Sequence, residues 1–332
     1  MRALRRPRVV LPTLGATGKG SEKAKEQVEV KKQDPRAKLT FPDHWKEPDV
    51  RGALRAMQGL TCAYCGHTPE ELPRPPVEHF RPKAKITEAP DHGGYWWLAY
   101  RFDNYVLSCA RCNSGRKGNK FPMRPRGKHY PCEKRNQLHK EPRVLLDPAV
   151  DPVGSWLRYS WREAIEDGTL CELRPDTGLT STQLCQANGT IEFFRLNRTL
   201  RLSQARAAMI DDVLDAINER DMIRAQARAM WFQPHSALAR QMLAALEPSW
   251  LPAPADEVDA FIDRLDDDLE DVMHLIQQAG EDDELRRDRD EILWAMAVLW
   301  WDPPGGDRQR VETRLIQLGR LELVKPLHDR LS

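Results

Sequence analysis

Beyond about residue 187 apolar positions recur every three to four residues, the period of a helix with one buried face. Leu200, Ala207, Ile210, Val213, Leu214 and Ile217 share a face on which only Ser203 is polar. Val258, Phe261, Ile262, Leu265, Leu269, Val272 and Leu275 do the same, with Asp and Glu opposite. Leu285 to Trp301 and Arg310 to Leu323 predict further helices. Upstream the pattern is shorter and more varied. Val50, Leu54 and Met57 predict a helix that runs into Cys62. Val77 to Phe80, stopped by Pro82, predicts a strand, and Tyr105 to Cys109 its hairpin partner. Residues 111–120 then open a helix. Trp156 to Trp161 and Thr169 to Leu173 flank Asp167-Gly168 and predict a second hairpin. Residues 1–38 are polar, basic and interrupted by Gly15, Gly18 and Gly20, which suits a loosely held arm.

The pattern predicts an α+β chain in three parts. These are a basic flexible arm over 1–48, a small strand-and-helix domain over 49–150, and a mainly helical domain over 151–332. No segment predicts a membrane span, because the apolar run Ile292 to Trp301 is far shorter than the roughly 20 residues a bilayer requires. Pro12 and Gly15 interrupt Val9-Val10-Leu11, so no signal-peptide core is expected either.

The net charge of +1 hides an asymmetry. Residues 1–146 hold 30 Lys/Arg against 15 Asp/Glu, leaving 21 against 35 for the remainder. A basic half implies a polyanion as partner, and an acidic helical half implies a protein surface or a second copy of the chain. The densest basic stretch, 101–146, includes Arg111, Arg116, Lys117, Lys120, Arg124, Arg126 and Lys128. Contacts of this kind bind phosphate without reading sequence. Tyr95-Trp96-Trp97 and Trp300-Trp301 read as core before stacking platforms.

Cysteine spacing narrows the chemistry. Cys62/Cys65 and Cys109/Cys112 are two Cys-x-x-Cys pairs, the donor set of a closed, structural zinc site. Cys132, Cys171 and Cys185 lack such spacing and read as small hydrophobes. A metal-type pattern in place of a disulfide framework fits the reducing cytoplasm. Between the pairs lies Glu78-His79, a carboxylate beside an imidazole. Asn113 follows the last cysteine. Adjacent strand residues face opposite ways, so both groups address one ion only through a bulge or local twist. Asp91-His92, between Pro90 and Gly93-Gly94, reads as a surface loop.

Glu78-His79, Asn104 and the run from Cys109 through Asn113 to Lys117 resemble an HNH endonuclease, the ββα-metal type of site. The longer string, Glu78-His79-Phe80-Arg81-Pro82-Lys83, Lys117 to Pro122, Leu145 to Pro148 and Thr190 to Asn197, is similar to the PtuB-like HNH effectors of Septu and retron-linked anti-phage systems. The resemblance covers roughly residues 50–205. It implies a treble-clef-like zinc scaffold around a ββα-metal core. His79 would be the general base, and Glu78 and Asn113 would hold catalytic Mg²⁺ or Mn²⁺. Asn104 would brace the loop behind the base, and Lys117 would face the phosphate. Arg81, Lys83, Arg111, Arg116, Lys120, Arg124 and Arg126 would contact DNA. It further implies 5′-phosphate and 3′-hydroxyl products and an ATPase partner of the PtuA type. Two alternatives stay open: a non-catalytic zinc module that binds nucleic acid or protein, and a McrA-like nuclease directed at modified DNA.

Overall fold

A computed structural model of the chain describes residues 1–331. Its first helices are α1 (Lys19–Gln33) and α2 (Pro48–Gln58). Two short strands follow, β1 (Val77–His79) and β2 (Tyr105–Leu107), which form a two-stranded sheet. Next come α3 (Val153–Trp156), β3 (Leu157–Tyr159), α4 (Trp161–Asp167) and β4 (Leu173–Pro175). The rest is helical: α5 (Ser181–Phe193), α6 (Leu200–Asn218), α7 (Met222–Ala229), α8 (Ser236–Leu246) and α9 (Pro254–Ala279). The last three are α10 (Asp283–Trp301), α11 (Arg308–Gln317) and α12 (Leu321–His328). The chain is therefore mostly helical, with two small sheets.

Two compact units are interleaved along the chain. The first holds Met1–Leu4, Leu60–Trp96 and Leu107–Pro252; the second holds Arg5–Gly59, Trp97–Val106 and the chain from Ala253 onward. The expected divisions at 48/49 and 150/151 do not coincide with these units. Charge is also shared more evenly than in the sequence halves. The first unit carries 27 Lys/Arg against 21 Asp/Glu and the second 24 against 29. The basic N-terminal segment falls in the unit that contains the acidic helices, which cancels much of the asymmetry.

In the second unit, α10 is apolar on nearly every side from Ile292 to Trp300 and is buried throughout that stretch. A helix of this kind needs neighbours all round, and α2, α9, α11 and α12 supply them. Gly52 lets α2 approach closely: a Cβ there would lie 2.5 Å from Trp294 Cβ. Arg51 Nε meets Glu291 Oε2 at 2.6 Å in the same buried seam. The outer face of α9 is acidic as expected, yet its carboxylates are largely matched from within. Arg310 pairs with Asp256 and Asp259, Arg314 with Asp263, and Arg320 with Asp266 and Glu270. Val272 is only half-buried and Leu275 is 48% exposed, so the buried stripe of α9 ends near Leu269.

The arm expected over 1–48 is ordered. It carries α1, buries Met1, Leu4, Leu11 and Trp45, and ties Thr13 to Asp49 by N–Oδ2 and Oγ1–Oδ1 bonds of 2.8 and 2.7 Å. These four buried residues are widely spaced and show no period, which is why the pattern did not reveal them.

Two further expectations change in the first unit. β3 and β4 do pair antiparallel, Leu157 with Pro175 and Tyr159 with Leu173. They are joined, however, by α4, and Gly168 at φ 66° closes that helix rather than a hairpin turn. Glycine serves either purpose, since both require positive φ. On α6 the buried face runs through Leu202, Ser203, Arg206, Ile210, Val213 and Ala216, while Leu200 is 72% exposed. Arg206 is buried because its guanidinium is spent on neutral acceptors, Cys171 O, Asn197 Oδ1 and Leu196 O at 2.8–3.1 Å.

Candidate metal centre and adjoining acid–histidine site

Local backbone bonds shape both cysteine turns. In the first, Gly66 N donates to Cys62 O and Cys62 N to His67 O, both at 2.9 Å, with Gly66 at φ 72°. In the second, Cys112 N and Asn113 N both donate to Cys109 O, at 3.0 and 2.9 Å. Ala63 N donates to Leu107 O at 3.0 Å, which ties the first turn to the end of β2. Ser108 N reaches Pro76 O at 3.0 Å, just before β1.

These turns bring the four sulfurs of Cys62, Cys65, Cys109 and Cys112 within 4.8 Å of one another, and all four cysteines are free of disulfides. Sulfurs bound tetrahedrally at about 2.3 Å from zinc would stand about 3.8 Å apart. Cys65 Sγ and Cys109 Sγ are 4.0 Å apart. The donor set, burial and spacing therefore fit zinc. With all four positions taken by thiolates such an ion would be structural. Among the described residues this is the one cluster of three or more His, Cys, Asp or Glu side chains close enough to hold a metal.

The second turn continues into an unusual one. Residues 111–120, expected as a helix, form a single π turn, Asn113–Lys117, with i→i+5 bonds from Lys117 N to Cys112 O (3.1 Å) and Gly118 N to Asn113 O (2.7 Å). Gly118, at φ 47°, ends it, and Pro122 and Pro125 forbid a longer helix. Lys117 is consequently turned inward and wholly buried. Its Nζ donates to Glu78 Oε1 at 2.5 Å and to His79 O at 2.9 Å. Glu78 and His79 are themselves only 4% and 6% exposed. Burial raises the Glu78 carboxyl above the usual range, an effect that Lys117 offsets only in part.

Not every residue singled out in the sequence joins this cluster. Asn113 is half-buried at the start of the π turn. Asn104 lies in the second unit, buried, with Nδ2 donating to Leu98 O at 3.3 Å. Several of the basic residues are held by protein groups. Arg81 is bound to Glu141 and Leu138 O, Arg116 to Phe194 O and Thr199, and Arg124 to Thr182. Arg111, Lys120 and Arg126 are exposed, and Lys83 is half-buried. Arg111 has only a loose 3.8 Å contact with Glu70.

The first unit also holds a polar chain that sequence reasoning missed. Glu141 accepts from Arg81 Nε (2.9 Å), Tyr130 N (3.0 Å) and Tyr95 Oη (2.5 Å). With its proton given to the carboxylate, Tyr95 accepts from His129 Nδ1 at 3.0 Å. His92, expected at the surface, is half-buried with Nε2 3.0 Å from Tyr130 O. These residues come from separate segments with no common spacing, so no sequence signal marks them.

The other parts of the family-like string are scaffold. Asn197 pairs with both main-chain groups of Leu173 at 2.8 Å, and Thr190 Oγ1 accepts from Leu146 N at 2.8 Å. Arg143 grips Asp151 through two 2.7 Å bonds.

His235 links the first cysteine turn to α8. Its N donates to Gly66 O at 2.9 Å, and its Nε2 lies 3.3 Å from His67 Nδ1. Burial pushes its pKa from 6.5 down to about 3. The unfolded chain therefore binds a proton that the fold excludes between those values, so stability should fall as pH drops from 6.5 towards 3. Urea titrations across that window should show a shallower pH slope for His235→Gln. Parallel curves for the two proteins would refute this assignment.

No family model matches the chain, and no solved structure matches it. No described helix is long and apolar enough to cross a membrane. Over 180 residues the chain is 27% identical to Septu protein PtuB of Bacillus mycoides strain KBAB4, a stretch covering 52% of this chain and 55% of that protein. The four-cysteine centre and its buried acid–histidine step thus belong to a chain that is similar to a Septu protein and spans about half that protein's length.

Proposed function

We propose that this chain is a metal-dependent HNH-type endonuclease that hydrolyses DNA phosphodiester bonds. We place it as the nuclease of a Septu-type anti-phage system, beside an ATPase partner. The observation that carries the reading is the Glu78–His79 step, held in β1 between cysteine turns whose sulfurs converge. Its similarity to PtuB supports the defence setting.

In this reading His79 takes the proton of the attacking water, a task suited to an imidazole nitrogen, which can accept and return a proton. Glu78 and Asn113 offer oxygen donors, which fit a hard ion such as Mg²⁺ or Mn²⁺. One Glu78 oxygen is already engaged by Lys117, so the other would be the one offered to such an ion. Such an ion, held there, would supply positive charge against the charge developing on the phosphate oxygens. The test is plasmid cleavage by zinc-loaded protein, with the ATPase supplied, before and after mild EDTA treatment. Mg²⁺ or Mn²⁺ should restore cutting, and intact plasmid under all these conditions would remove the reading.

The burial of His79 and the Lys117 grip on Glu78 favour one rival, a non-catalytic zinc module. It predicts DNA binding without cleavage, equal in wild type and His79→Ala.

DNA affinity should come mainly from the exposed cations. Replacing Arg111, Lys120 and Arg126 together by alanine should weaken binding and reduce the slope of log affinity against log salt by about 3, near 0.9 per phosphate contact. Salt titration by fluorescence anisotropy measures this. An unchanged slope would place the DNA elsewhere.

A further inference from the structure

We propose that Lys117 is a positioning residue, which holds Glu78 and His79 in a fixed mutual orientation and serves as the resident cation of their site. The inference deepens the nuclease reading, on which it rests for the purpose of the site though not for the contacts.

A wholly buried ammonium is costly unless its charge and protons are matched. Here one nitrogen takes the Glu78 carboxylate and the His79 carbonyl at 2.5 and 2.9 Å. The side chain of Glu78 and the peptide plane following His79 are thereby tied to a single point. That restricts the backbone at His79 and so the direction in which its imidazole leaves the strand. A phosphate-facing role would require the ammonium at the surface, whereas Lys117 is 0% exposed.

The π turn explains how the lysine arrives there. The turn springs from Cys112, and its i→i+5 bonds displace Lys117 from the register an α-helix would give. The cysteine centre, the π turn, Lys117 and the acid–histidine step form one continuous chain of supports. The four-cysteine scaffold orients the site through this lysine.

The test uses the whole 332-residue chain loaded with zinc and needs no cleavage assay. Glu78→Gln and Lys117→Met should each lower the folding equilibrium by on the order of 100-fold, because each strands a buried charge. The double variant should recover most of that loss, since a matched pair has been removed. The imidazole NMR signals of His79 should stay near wild type in Glu78→Gln, where the lysine still reaches the carbonyl. They should move in Lys117→Met and in the double variant, which a purely structural ion pair would not require. Should Lys117→Met fail to fold, reductive methylation of native wild type provides the second measurement: Lys120 should react while Lys117 stays protected.

Additive losses in the double variant, unmoved His79 signals, or labelling of Lys117 at the rate of Lys120 would each overturn the proposal. Absence of cleavage would remove the nuclease reading and leave this one standing.

Discussion

In Cys109→Ser protein, bound zinc should fall from about one ion per chain to near zero, and the first unit should lose its cooperative melt. Structural zinc sites supply apparent binding free energies of about 10–16 kcal/mol, more than most domains have as net stability. The effect should be large here because the strands around the site are only three residues each and cannot hold two loops together unaided. The second cysteine turn runs directly into the π turn that carries Lys117, so loss of the centre should disturb both. Elemental analysis and thermal denaturation of wild type, Cys109→Ser and Cys185→Ser make the comparison. Cys185 lies exposed on α5 and serves as the control. Fully folded, zinc-free wild-type protein would disprove the scaffold role.

His79→Ala should reduce cleavage on the order of 10²- to 10⁴-fold, the usual contribution of a positioned general base. Zinc content and DNA affinity should stay as in wild type. The side chain is almost fully buried, so removing it also leaves a small cavity and some loss of stability is expected. His79→Gln, closer in volume, separates the two effects: it should keep most of the stability and still fail to cut. The readout is the initial rate of plasmid nicking at matched zinc, Mn²⁺ and protein concentrations. Equal rates for wild type and both variants would remove His79 from the chemistry, whatever else cuts the DNA.

The interleaving of the two units bears on how such experiments are designed. A truncation after the cysteine region would strip α9–α12 from α1 and α2, which belong to the same unit. Point substitutions are therefore the sound instruments here. The charge asymmetry is likewise a property of the sequence halves more than of the compact units, so Arg111, Lys120 and Arg126 report on DNA better than any deletion would.

Local features of the sequence were legible because they depend on neighbours along the chain. Cysteine spacing dictates a donor set that no long-range contact is needed to recognise, and the four sulfurs do converge. The strands at Glu78 and Val106 and the helices α2, α6, α9, α10 and α11 follow from periodicity and from proline and glycine punctuation, whereas the run Arg310 to Leu323 is divided between α11 and α12. What depends on distant partners was hidden. Lys117 reads as one more cation of the basic stretch until β1 supplies a carboxylate and a carbonyl 39 and 38 residues away. Arg206 falls outside the apolar stripe expected over Leu200 to Ile217, and it is buried because Cys171 O and Leu196 O accept hydrogen bonds from it. Burying a charge is decided by whether partners converge in space, and no local pattern encodes that convergence. The arm became a helix, the hairpin acquired α4, and the expected helix shrank to a π turn for the same reason: local propensity sets what a segment can form, and tertiary packing selects among the options.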